Sequence, residues 1–363
     1  MLDFGHFNLM SYRTPGTPTQ QLIDNEVEQV KLAEQAGFST AWIAEHHFSN
    51  YCVSPSPLLM LARLAGETKT IRLGTAVVVV PLYNPARLLA EIGMVDSMTH
   101  GRLVLGVGSG YQPYEFDRFG EDLKNSVPKV IEFMQMLELA FGQEVFSFEG
   151  EQYRMPETHI ASRTVNSRIP EVWVAGDNPD LHRMAARKGY GVMVTPRHFT
   201  PELLGKARER FAASWTAEGR DPRTMRFGVS RHVCITDSRE EVMRFVEHSR
   251  SQVRLSQSLR RREELMDGAM LVEKPYENEP TLEQMADNLL VGSPEVVAER
   301  IVREIRIAQP NHYLMNFSPG GSDQATALRS IERFATEVRP LIEKALGPLD
   351  RIGAGGAMPS AAE

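Results

Sequence analysis

Ile71-Arg72-Leu73-Gly74-Thr75-Ala76-Val77-Val78-Val79-Val80-Pro81-Leu82-Tyr83-Asn84-Pro85 reads as a strand, a short loop and a helix start. The run Ile71–Val80 is dense in β-branched residues, which favour a pleated strand. Asn84 then stands as helix cap, with Pro85 in the first turn. Outward from this stretch the same unit repeats. Strands are expected at Phe4–Met10, Thr40–Ala44, Leu103–Val107, Val172–Ala175, Gly191–Val194, Phe227–Ile235 and His312–Phe317. Segments with helical spacing separate them, among them Ile23, Val27 and Val30, and later Val297, Ile301 and Ile305. Asn178-Pro179-Asp180 is another capped helix start. Eight strands alternate with eight helices, and no linker divides them. The α/β pattern predicts one (β/α)8 TIM barrel over residues 1–350. Strand order cannot be read from sequence, so an open doubly wound sheet is the alternative.

Three segments fall outside the repeat. Phe146–Tyr153, broken by Glu149-Gly150, reads as a small hairpin set on the barrel. Residues 256–288 are polar, carry Pro275 and Pro280, and form an insertion after strand 7. A loop of that length in a compact domain is usually functional or disordered, and here it is read as a lid that shields a substrate. Residues 351–363 are small and polar and read as a disordered tail.

The chain has 363 residues and a formal net charge of −7. That acidity argues against nucleic-acid binding, which needs a basic stripe. Arg260, Arg261 and Arg262 are followed at once by Glu263 and Glu264, so they read as a solvated helix face. Cys52 and Cys234, the two cysteines, show no metal-ligand spacing, and no metal is expected. They suggest a reducing compartment. The N-terminus has no signal-peptide pattern and no apolar run reaches membrane-spanning length, so a cytoplasmic, non-membrane protein is expected.

In such a barrel the chemistry sits at the C-terminal ends of the strands. Glu45-His46-His47-Phe48 follow the second strand, and adjacent residues point to opposite sides, so one histidine faces the mouth. Gly106-Val107-Gly108-Ser109-Gly110-Tyr111 follow the fourth. They resemble a phosphate turn but lack the full GxGxxG spacing, and a tight turn is an equal reading. Gly176-Asp177-Asn178 follow the fifth, where free backbone N–H groups suit an anion. Thr195, Arg197 and His198 follow the sixth. Arg231 and His232 follow the seventh if that strand ends early. Met60, Tyr83, Phe199, Met270 and Met315 are candidates for an apolar pocket, although core packing explains them as well.

Trp42-Ile43-Ala44-Glu45-His46-His47-Phe48, Ser54-Pro55-Ser56-Pro57 and Gly74-Thr75-Ala76-Val77 resemble, in combination, the bacterial luciferase-like flavin-dependent monooxygenase family. Asp96 through Gly101-Arg102, then Gly106–Tyr111, Phe116 and Phe119-Gly120 extend the likeness. Val174-Ala175-Gly176 and Asp287–Pro294 carry it almost to the tail. The resemblance implies a barrel that takes reduced FMN from a separate flavin reductase. Oxygen adds to the flavin, and the resulting C4a-hydroperoxide oxygenates a small organic substrate. It also implies a homodimer. His46 matches the catalytic histidine, and a neutral imidazole there suits a general base. Glu45 and His47 are read as its support.

The family also places a non-proline cis peptide in the third strand, which corresponds here to Thr75–Ala76. Thr75, Ala76 and Val77 are therefore expected beside the flavin, with Val174, Ala175 and Gly176. Luciferase has arginines where this chain has Ser109 and Val127, and a serine where it has Asp177. An acid beside a phosphate is unfavourable unless it points away. The phosphate is then expected on Ser109, Gly110 and Tyr111, or on Arg197 or His198. Two alternatives share the fold: an F420-dependent oxidoreductase that transfers hydride, and a flavin-binding barrel without chemistry.

Overall fold

The computed structural model describes residues 1–195 and 200–353. Eight parallel strands form the barrel: β1 (Asp3–Asn8), β2 (Thr40–Ile43), β3 (Arg72–Thr75, resuming at Val78–Val79) and β4 (Leu103–Gly108) come first. β5 (Glu171–Ala175), β6 (Gly191–Val194), β7 (Phe227–Ile235) and β8 (His312–Asn316) complete it. Each strand pairs with the next in sequence, and β8 returns to β1 with Asp3 opposite His312, so the sheet closes. The open-sheet alternative is thereby removed.

The helix starts follow the side chains predicted for them. Asn84 Oδ1 accepts from the N–H groups of Ala86 and Arg87, with Pro85 in the first turn. Asn178 does the same for Asp180 N at 2.8 Å. Such caps satisfy donors that a helix cannot satisfy itself.

The barrel interior is filled by large rings facing glycines. A Cβ on Gly74 would lie 2.4 Å from the Trp42 ring, and one on Gly191 2.4 Å from the Trp173 ring. The two indoles meet edge to face at 5.9 Å. Trp42 Nε1 donates to His312 Nε2 at 2.8 Å, so the His312 proton sits on Nδ1, which faces Asp3. Above this packed floor, open space lies toward the strand C-termini.

The segment after β7 begins later than its composition suggests. The helix Arg239–Arg261 includes Ser256, because Val253, Leu255 and Leu259 keep its apolar face buried, and Arg262 caps it in the left-handed conformation. Beyond it, the short strands Met266–Asp267 and Met270–Leu271 pair, and the helix Leu282–Asn288 leads back to the barrel. The segment is tied across the mouth. Leu271 is buried, and its N–H donates to Asn50 Oδ1 at 2.8 Å. Arg13 bridges Glu273 at 2.6 Å and Glu247 at 3.2 Å.

The small hairpin is present, as Phe146–Glu149 against Arg154–Thr158. At the C-terminus Leu349–Arg351 form a turn and Ile352 is buried, so ordered packing extends to Gly353. The rest of the expected tail lies outside the described residues.

One carboxylate fastens a helix to a strand. Glu34 Oε1 accepts from the N–H groups of Lys69, Thr70 and Ile71 at 2.8, 2.6 and 2.9 Å. Partial burial works against its charge, but these bonds hold its pKa at about 2. The stabilisation is present above the unfolded carboxylate pKa of about 4.3 and is lost as pH falls toward 2. Glu34→Gln is expected to cost about 1 kcal/mol at neutral pH, allowing for solvent screening. Melting temperatures of the two proteins should converge between pH 4 and about 2. A gap that stays constant over that range would show that the charge contributes nothing.

Candidate active site

A cavity of about 470 Å³ opens at the C-terminal end of the barrel, within the range of small-molecule sites. One wall is Ala76, Val77 and Val79 from β3, Gly108 to Tyr111 after β4, and Ala175 to Asp177 after β5. The other is Phe7, Leu9, Met193, Ser230 and Leu314, roofed by Val253, Ser256, Gln257 and Arg260. Glu45 and His46 stand between them.

His46 is held from behind. Its Nδ1 lies 3.0 Å from Glu115 Oε1, which also accepts from His47 N at 2.7 Å. Glu115 is fully buried, at the start of the helix Pro113–Phe119. An ionised carboxylate only accepts, so Nδ1 carries the proton and Nε2 keeps its lone pair. The Gln112 amide also lies 3.1 Å from Nδ1. Its oxygen and nitrogen ends are told apart only by their partners. With Nδ1 protonated, the oxygen belongs at that position, where it accepts from both Nδ1 and Tyr111 Oη. Tyr51 and Tyr111 pack on the imidazole at 4.9 and 5.5 Å between ring centres.

Glu45 and His47 form a second layer. Glu45 accepts from Val79 N at 3.0 Å, Tyr83 Oη at 2.9 Å and His47 Nε2 at 3.0 Å. Burial pushes its carboxyl pKa up, against those bonds. It pins the β2 loop to the end of β3. His47 does not reach the cavity and packs on Phe119 at 4.7 Å.

Of the residues expected beside the flavin, Ala76, Val77, Ser109, Gly110, Tyr111, Ala175, Gly176 and Asp177 line the cavity. Thr75 and Val174 do not. Thr75 Oγ1 donates to Gly106 O at 2.7 Å and accepts from Gly106 N at 2.9 Å, locking β3 to β4. Val174 faces the outer core. The cis bond joins Ala76 to Val77, one residue later than expected. Ala76 N still donates to Ile43 O at 2.7 Å, so regular strand pairing runs through Thr75 and Ala76 before the chain departs. Asp177 turns to Arg210 at 3.0 Å, which removes the objection to an acid near a phosphate.

Tyr83 reaches Glu45 rather than the cavity, and Met60, Met270 and Met315 are not on its wall either. β7 does not end early. Arg231 points outward to Glu304, and His232 to Ser249 at 3.0 Å. Arg197, His198 and Phe199 lie outside the described residues. Cys52 is buried, its thiol pKa pushed up to about 12, so it offers no thiolate. Among the described residues no group of three or more His, Cys, Asp or Glu could hold a metal ion, and no helix is long and apolar enough to cross a membrane.

Gly176 has a φ of +124°, and a Cβ there would meet no atom nearer than 3.7 Å, so bare backbone borders open space. The profile of the luciferase-like monooxygenase family matches residues 2–308. The chain belongs to that family. An uncharacterized protein of Sinorhizobium fredii is 40% identical over 95% of this chain and 99% of its own. The oxygenase component of a flavin-dependent trigonelline monooxygenase from Acinetobacter baylyi is 30% identical, over 61% of this chain and 62% of its own. An F420-dependent glucose-6-phosphate dehydrogenase of Kineococcus radiotolerans is 26% identical, over 85% and 90%. In three dimensions the oxygenating constituent of 3,6-diketocamphane monooxygenase from Pseudomonas putida, in complex with FMN, superposes with a TM-score of 0.77. It is 22% identical, over 94% of this chain and 99% of its own.

Sequence reasoning did not single out Gln112, Glu115, Ser230 or Gln257, and it read Arg260 as solvent-facing. The Arg260 guanidinium lies over the Tyr111 ring, 4.6 Å from its centre.

Proposed function

We propose that this chain is the oxygenase component of a two-component FMN monooxygenase, supplied with reduced FMN by a separate reductase. The observation that carries the reading is His46. Its Nδ1 is fixed by Glu115 and its Nε2 is left as an acceptor at a cavity of about 470 Å³. Reduced FMN, when bound, would supply electrons and the activation of oxygen. Ala76, Val77, Gly108 and Gly176 would hold the ring system, and Ser109 and Gly110 are candidates for the phosphate. His46 would take a proton at Nε2, and Glu115 would stabilise the imidazolium that forms. The segment 262–288 would keep water from the reacting centre.

The test is rapid mixing of the anaerobic protein and reduced FMN with oxygenated buffer. An absorbance band distinct from oxidised FMN, lasting seconds or longer, is the expected result. Its decay should accelerate with substrate. Immediate appearance of free oxidised FMN would overturn the reading. F420 titration would then test the second reading, hydride transfer, which the F420-dependent relative and the Ser109 departure favour.

A further inference from the structure

The helix Arg239–Arg261 brings several arginines toward the barrel mouth. Arg244 and Arg250 pair with Glu240 and Glu247, and Arg254 grips Glu279 at 2.7 and 2.6 Å. Arg260 has no carboxylate in reach among the described residues. It is also the one lysine or arginine among the described residues that lines the cavity. The acids of the cavity do not neutralise it: Glu45 is enclosed by its own donors, and Asp177 is turned to Arg210. A positive charge without a counter-ion thus stands at the mouth of a mainly apolar space.

Its surroundings complete an anchor. Ser256 and Gln257, one turn earlier on the same helix, line the cavity beside it. Ser230 on β7 is 2% exposed, and its hydroxyl has no partner among the described residues although it faces the cavity. Leu9, Met193, Val253 and Leu314 supply apolar contact between these polar groups. We infer that Arg260 binds the carboxylate of the organic substrate, a small acid with an apolar or aromatic body. This rests on the flavin-oxygenase reading above.

The FMN phosphate is an oxyanion with the same preference for a guanidinium. Position favours the substrate. Arg260 stacks on Tyr111, and Tyr111 contacts the His46 ring, so the anion would sit one side chain from the base. A flavin phosphate is held away from the reacting ring by the whole ribityl chain. The backbone and hydroxyl at Ser109 and Gly110, on the cavity wall after β4, suit it better.

The experiment titrates the full-length protein and its Arg260→Gln and Arg260→Lys variants with benzoate and with benzamide. Both flavin-free and FMN-loaded protein are used. FMN and riboflavin are titrated separately. The expected result is tighter binding of benzoate than benzamide, weakened about tenfold or more by Arg260→Gln, with partial retention by Arg260→Lys. Benzamide and FMN affinities should not change. Benzoate binding that is no tighter than benzamide, or unaffected by Arg260→Gln, overturns the inference. So does an FMN affinity that falls in Arg260→Gln while riboflavin affinity holds, because the guanidinium would then serve the phosphate. If the wild-type protein binds no flavin, the oxygenase reading fails, and the flavin-free titration still judges Arg260.

Discussion

His46→Ala is expected to lower product formation by about 10²- to 10⁴-fold while leaving the fold and FMN binding intact. His46 borders the cavity with its side chain 12% exposed, so its removal enlarges a space that already exists. The barrel wall that would hold the flavin is built from other residues. Glu115→Gln gives the same argument from the other side. It keeps the imidazole in place but replaces an obligate acceptor with an amide that can also donate. The Nδ1 proton is then no longer enforced, and an imidazolium formed during turnover loses its counter-charge. A smaller loss is expected, seen in kcat more than KM, with a change in the pH profile of kcat. Steady-state turnover with a reductase, over pH 6 to about 9, reads both variants. Unchanged turnover in His46→Ala would mean that the match to the catalytic histidine is misleading. A Glu115→Gln enzyme with an unaltered pH profile would reduce Glu115 to a structural role.

The barrel was legible because its signals are local. A β-branched run such as Ile71–Val80, or a cap such as Asn84-Pro85, declares itself within a few residues. The segment Glu45–His47 was legible for the same reason. Glu115 was not, since it lies 69 residues from His46 and is brought there by the pairing of β3 with both β2 and β4. An isolated Glu in a first helical turn looks like any acid placed near a positive helix end. Arg260 was legible in part: the solvated helix face is there, but the second contact of the side chain is not written in the sequence. It does sit on an exposed helix face, yet its long side chain folds back over Tyr111 to the cavity. The cis bond was placed one residue early because a family likeness fixes a neighbourhood but not a register. The cis bond follows directly on the hydrogen bond from Ala76 N to Ile43 O, and no sequence pattern encodes its position.

Arg231→Met should be the most destabilising of the substitutions considered, at about 3–5 kcal/mol. Arg231 and Glu304 form an ion pair between β7 and the helix Pro294–Ala308, with side chains 1% and 2% exposed. Arg231 also donates to Asn288 O at 3.1 Å, where the segment after β7 rejoins the barrel. The pair's attraction offsets a large desolvation cost, so removing one partner leaves the other buried without compensation. Burial already pushes the Glu304 carboxyl pKa up, and Arg231 is the largest of the groups that oppose it, ahead of Tyr313 and Arg300. In Arg231→Met the carboxyl pKa would rise further above the ordinary carboxylate value. An acid whose folded pKa is raised costs stability as pH climbs above its unfolded value. The deficit should therefore be smallest below about pH 4 and grow above it. Arg231→Met with Glu304→Leu removes both charges and should recover most of the loss, since apolar replacements of buried pairs are often neutral. Denaturant unfolding of the single and double variants at pH 4 and pH 7 decides the matter. A single variant within about 1 kcal/mol of wild type, or a double variant as unstable as the single, would show that the pair is not what holds this helix to β7.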